Sequence, residues 1–182
     1  MHEYKKVLTF WFSKKIKPYW FKKNKRIDAI IKRRFYNILK KAKNGELDKW
    51  KESPKGRLAL IIVLDQFSRN IYRDNKKAFA SDKKALYLTM EGLKNKDDKK
   101  LNISERSFFY MPLMHSEGQK SQKESIKQFR ALEKLGGKTL KWAIMHKKII
   151  DKYHRFPHRN VILGKKSTKK ELAYLSQPGS GF

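Results

Sequence analysis

Apolar side chains recur at helical spacing between Arg26 and Lys43, where Ile27, Ile30, Ile31, Phe35, Ile38 and Leu39 share one face and Lys and Arg fill the other. Asn44-Gly45 ends this helix, because a residue that tolerates a left-handed backbone suits a helix C-terminus. Pro54 and Gly56 mark a turn before a helix from Arg57 to about Tyr72, whose apolar residues wrap most of the circumference and predict a central, buried element. Further helices are predicted over 76–93 and, with Ser104 as cap, from 104 until Pro112 bends or ends the run. Two more follow over 122–135, stopped by Gly136-Gly137, and over 140–153. Thr168 and Glu171 fit a capping box that opens a last short helix through Leu175. No strand alternation of useful length occurs, so the pattern predicts an all-α chain.

Composition narrows the class. The 182 residues include 11 Phe, 8 Tyr and 4 Trp against 9 Gly and 5 Pro, which is enough large apolar surface for one core and predicts a single helical domain over 1–177 with a loose tail at 178–182. There is no cysteine, so disulfides, thiolate metal sites and thiol nucleophiles are excluded together. The start of the chain lacks the apolar stretch of a secretory signal, and the longest apolar run, Leu58 to Leu64, is too short to span a bilayer; both predict a cytoplasmic protein. The formal charge is +29, yet 36 of the 46 basic residues are Lys spread over nearly every segment. That dispersion fits lysine filling solvated faces, and leaves nucleic acid or an acidic lipid surface as a weaker reading.

Phe10-Trp11-Phe12, Trp20-Phe21, Gly45 to Trp50 and Leu58 to Asn70 form an ordered series with Ala78 to Asp82, Glu105-Arg106, Met111 to Glu117 and Arg155 to Asn160. This series resembles the bacterial "domain of unknown function 924" family over about positions 8 to 182. The resemblance implies a tetratricopeptide-repeat-like fold of about eight helices, in which antiparallel pairs stack into a short superhelix. It implies no established activity. The dense lysine departs from the family's usual look.

Three polar constellations are candidates for chemistry. Asp65, Gln66, Arg69 and Asn70 lie on the C-terminal half of the central helix, where Asp65 and Arg69 can pair and Arg69 and Arg73 can share an anion. His115-Ser116-Glu117 follows the Pro112 bend; there His115 can act as a general base oriented by Glu117. Arg155, His158, Arg159 and Asn160 flank Pro157, where a phosphate or carboxylate can sit between these side chains and the helix start at Ser167-Thr168. For each, the structural alternative is an ion pair or loop lock that fixes the fold. A zinc or manganese site from His115, Glu117, His146 and His158 has no ligand-spacing motif behind it, so no metal is assigned. Phosphate-binding glycine loops, dinucleotide fingerprints and nucleophile elbows are absent, and no cofactor is implied.

The leading expectation is therefore a helical binding protein whose His/Arg/Glu pocket takes an anionic small molecule or acidic peptide. The alternatives are a hydrolase of a small phosphorylated or carboxylated substrate with His115 or His158 as base, and a lysine-driven surface for nucleic acid or acidic membrane. Convergence of the three constellations discriminates among them.

Overall fold

A computed structural model describes residues 3–180. Residues 1–2 of the expected domain and 181–182 of the expected tail lie outside the described part.

Helix α1, Glu3–Trp11, turns Val7, Phe10 and Trp11 inward. It lies outside the helices expected from the sequence pattern. Helix α2, Lys25–Asn44, starts where the Asn24 side chain accepts from the Ile27 amide and ends at Gly45, whose φ of 85° is the left-handed geometry expected there. The central element is continuous: α3 (Pro54–Ile61), a π-helical segment (Ile62–Phe67) and α4 (Ser68–Ile71). Ser53 caps it, and Pro54 occupies the first turn, where its missing N–H costs nothing. Every residue from 56 to 68 is buried, which is why its apolar side chains wrap the helix without a polar face. A Cβ at Gly56 would come 2.1 Å from the Trp50 carbonyl oxygen, so this turn demands glycine.

Helix α5 is Asp82–Lys94, shorter than expected because residues 76–79 form a separate 3-10 turn capped by Asn75. Helix α6, Ile103–His115, is capped by Asn102 in a reciprocal box with Glu105, not by Ser104, and it continues past Pro112. The lost hydrogen bond is outweighed by tertiary packing, since Phe108 to Met114 are all buried. Helices α7 (Gln119–Glu133), α8 (Leu140–Tyr153) and α9 (Lys169–Leu175) complete the chain, the last opened by the Thr168/Glu171 box read from the sequence.

With α3, the π segment and α4 counted as one, the described residues hold eight helices and no strand. Successive helices pack on one another, α6 on α7 and α7 on α8 across short connections, while the central element contacts α1, α2, α5 and α6. This is a helical superhelix around one long hydrophobic helix. Its main core gathers Trp11, Phe35, Phe67 and Phe108, and a smaller cluster of Ile149, Ile150 and Phe156 seats the α8–α9 end. Among the described residues no helix is long and apolar enough to cross a membrane.

Candidate functional site

The π segment places Asp65 at the heart of a polar cluster. Its carboxylate is 1% exposed and accepts from Gln66 Nε2 at 2.5 Å, while Oδ1 lies 2.8 Å from His115 Nδ1 and 3.0 Å from Arg69 Nη1. Burial alone would push the Asp65 pKa up, but the charges of Arg69 and His115, with hydrogen bonds from His115 and Gln66, outweigh it and hold the carboxyl well below the ordinary carboxylate range. An ionised Asp65 accepts only, so His115 Nδ1 carries the proton of that contact, and neutral His115 keeps its lone pair on Nε2. The C-terminus of α6 delivers His115 to this position fifty residues along the chain from its partner.

Arg69 continues the network. Its guanidinium forks onto Asp82 at 2.9 and 3.0 Å, and Nη1 also donates to the Asp65 carbonyl at 2.9 Å. Asp82 lies in the first turn of α5 and faces a second cation, Arg159, whose Nη1 is 3.6 Å from Oδ2. Arg159 enters from the short 3-10 turn Pro157–Arg159. Its guanidinium lies 4.7 Å from the centre of the Phe79 ring and 4.5 Å from that of Phe156, and Nη2 donates to the His115 carbonyl at 3.1 Å. Arg159 Nε is buried and has no hydrogen-bond partner. Burial, with the charge of Arg69 next, lowers the Arg159 pKa to about 10.

Two further imidazoles complete the cluster. His146 on α8 stands 6.1 Å from the His115 ring and 5.5 Å from Phe156, with Nδ1 2.8 Å from the Trp142 carbonyl. Burial first, then the neighbouring charges of His115 and Arg159, lower its pKa to about 3. His158 is 5.7 Å from Phe156, and burial with the charge of Arg159 takes its pKa to about 4. Both are neutral at pH 7, in a field made positive by two arginines.

The three sequence constellations thus converge in part. Asp65, Gln66, Arg69, His115, His158 and Arg159 meet; Glu117 lies at the edge. Glu117 does not orient His115: its Oε1 accepts from the Phe156 amide at 2.9 Å, and the orienting carboxylate is Asp65. Arg69 and Arg73 do not share an anion, since Arg73 forks onto Asp28 at 2.6 and 2.7 Å, where Asn70 joins it at 2.8 Å. Arg155 turns away to Glu171 at 2.6 and 2.7 Å, and Asn160 bonds Ser167 at 3.0 Å. Glu171 and Thr168 fill the α9 N-terminus, so the expected anion there meets an occupied cap. Ser116 accepts from the Gly118 amide and locks the turn. Asp82, His146, Phe79 and Phe156 escaped assignment as ligand or catalytic residues. His146 had a signal, a polar side chain on the stripe formed by Ala143 and Ile150.

The cluster is largely buried and reaches solvent through His115, Arg69 and Asp82, at 15, 20 and 21% side-chain exposure. Two cavities, about 620 Å³ between α1 and α2 and about 320 Å³ on α7, lie away from it. No group of three or more His, Asp or Glu able to hold a metal ion occurs among the described residues.

Fold and cluster together define an all-helical superhelix with a buried Asp/His/Arg network at the meeting of its central helix, α6 and the α8–α9 connection. Residues 7–179 match the family described as bacterial protein of unknown function (DUF924), and the chain belongs to that family. A solved structure of a protein of unknown function from Agrobacterium tumefaciens is similar to it, with a TM-score of 0.87 and 34% identity over 95% of this chain and 96% of that one. No curated protein matches the chain.

Proposed function

We propose that the protein binds a small anion, a carboxylate or phosphate group, at the cluster of Asp65, Arg69, His115, His158 and Arg159. The observation that carries this reading is Arg159: 7% exposed, clamped between two aromatic rings, and holding a buried Nε without a partner. An unsatisfied charged donor is costly unless a ligand completes it. The depressed pKa values of His146 and His158 support the same reading, because each is lowered partly by cations that an incoming anion would offset. Isothermal titration with inorganic phosphate and with citrate tests it. Arg159→Gln is expected to weaken binding at least tenfold, and Arg155→Gln, whose side chain faces α9, is expected to leave it unchanged. Equal affinity in the Arg159→Gln protein, or no heat with either anion, refutes the assignment.

A second reading rests on the Asp65–His115 contact of 2.8 Å. A buried carboxylate that fixes the imidazole tautomer leaves Nε2 as a general base, and Arg69 and Arg159 stand close enough to stabilise developing negative charge. The protein would then hydrolyse a small phosphorylated or carboxylated substrate. Turnover on a phosphoester and carboxyl-ester panel, lost in His115→Gln with unchanged thermal unfolding, supports hydrolysis. Turnover insensitive to that substitution removes it.

A further inference from the structure

The arginines divide sharply by environment. Of the ten, Arg57, Arg69, Arg73, Arg106, Arg155 and Arg159 are held in ion pairs. Three of the remaining four, Arg26, Arg33 and Arg34, stand on α2 beside Lys25, Lys32, Lys40 and Lys41. All seven are exposed, and among the described residues none of them has an ion pair. At about 100° per residue Arg26, Arg33 and Lys40 fall opposite the buried Ile31, Phe35, Leu39 and Ala42, Lys25, Arg34 and Lys41 stand on the flanks, and Lys32 lies nearer the buried side. Asp28, the one acidic residue of α2, does not dilute this face, because Arg73 and Asn70 engage it.

A compositional habit of lysine accounts for exposed lysines. It does not account for arginines without acidic partners gathered on one helix, and the planar guanidinium fork is the group suited to phosphate. The face is about 30 Å long for a twenty-residue helix. Tyr36 lies within it at 42% exposure, and beside it runs the cavity of about 620 Å³, whose wall combines Lys6, Arg34, Lys40 and Lys41 with Phe35 and Ile38. Glu3 and Glu46 also line that cavity. A lipid-binding helix would turn its apolar side chains outward, whereas those of α2 are spent in the core. A flexible polyanion that also offers flat rings fits better.

We infer that the outer face of α2 and the adjoining trough bind single-stranded nucleic acid, with phosphates on Arg26, Arg33, Arg34 and the lysines and a base against Tyr36. This surface is independent of the Asp65 cluster. Fluorescence anisotropy of a 5′-fluorescein-labelled 20-nucleotide mixed-sequence RNA, titrated with protein between 50 and 200 mM KCl, tests it. Neutralising about five phosphates gives a log–log salt slope of about −3.5, an affinity loss of about 100-fold across that range. Arg26→Glu/Arg33→Glu is expected to bind at least tenfold more weakly at 100 mM KCl, with a slope flatter by about 1.4. That pair spares Arg34, which lies over the Phe10 and Phe35 rings, so folding, followed by far-UV circular dichroism, is expected to persist. Lys123→Glu/Lys127→Glu on α7 serves as the charge-matched control and is expected to change affinity less than twofold. Absence of binding at 50 mM KCl overturns the inference. So does equal weakening by the α7 pair, which would mean diffuse charge, or α2-dependent binding to phosphatidylserine vesicles without α2-dependent binding to RNA.

Discussion

Replacing Asp65 with Asn keeps the side-chain shape and removes the charge on which Arg69 and His115 converge. Gln66, 8% exposed, can turn its amide so that its oxygen receives the new Asn N–H, and the packing cost is therefore small. What remains is the loss of a buried anion beside a cation. Breaking a fully buried pair costs about 3–5 kcal/mol, but Arg69 keeps its fork on Asp82, which reduces the expected destabilisation to about 2–3 kcal/mol. For a chain of this size that corresponds to a Tm lower by about 4–12 °C. Urea unfolding at several pH values is the assay. The folded-state pKa of Asp65 is depressed, so its contribution is fully present above the unfolded carboxylate value, near 3.9, and is lost as pH falls below it. The gap between parent and Asp65→Asn should thus narrow below about pH 4. A difference under about 0.5 kcal/mol at pH 7, or one that does not narrow in acid, would show that Asp65 does not hold the network.

Gly56→Ala should destabilise by about 2–3 kcal/mol in the same urea assay, because its Cβ would lie 2.1 Å from the rigid Trp50 carbonyl; a change under about 0.5 kcal/mol refutes that contact. His146 and His158 have folded pKa values of about 3 and about 4, below the unfolded value of about 6.5, so the unfolded chain takes up their protons first. Stability should therefore fall as pH drops from about 6.5 to 4, by up to about 1.4 kcal/mol per pH unit for each, and His146→Phe should flatten the slope measured by denaturant titration. Glu171 has its pKa lowered to about 2, chiefly by the Arg155 hydrogen bonds, and amide exchange across 169–175 should accelerate in Glu171→Gln at pH 7 while that of α2 stays unchanged.

What could be read along the chain was what the chain settles locally. Gly45 and the Thr168/Glu171 box act within one turn of themselves, and both helix ends fall where they indicate. Pro112 does not end its helix, because its local cost is met by packing around Phe108 to Met114, which no nearby residue announces. Helix α1 carried a signal after all, since Tyr4, Val7, Leu8 and Trp11 are spaced for one helix face, masked by the lysines between them. The cluster was legible as residue types and in part as an expectation of convergence. Its wiring was not: a carboxylate next to His115 in sequence, Glu117, looks like the orienting group, whereas the fold brings Asp65 there from another helix. Nor does periodicity distinguish Arg69, which turns to α5, from Arg73 one turn later, which turns to α2.

The π segment also sets a phase. A stretch bonded in the i to i+5 pattern holds more residues per turn than an α-helix, and residues 62–67 therefore fix how everything after them is rotated relative to the hydrophobic half at 54–61. Inserting a single residue into the α-helical half would leave a continuous apolar helix, yet would turn Arg69, Asn70 and Arg73 by about 100° about the axis, because the wide π turn already carries its surplus residue. Arg69 would leave Asp82, and Arg73 would leave Asp28. The central helix is thus a place where a one-codon insertion, tolerable by length and hydrophobicity, would dismantle two polar networks at once.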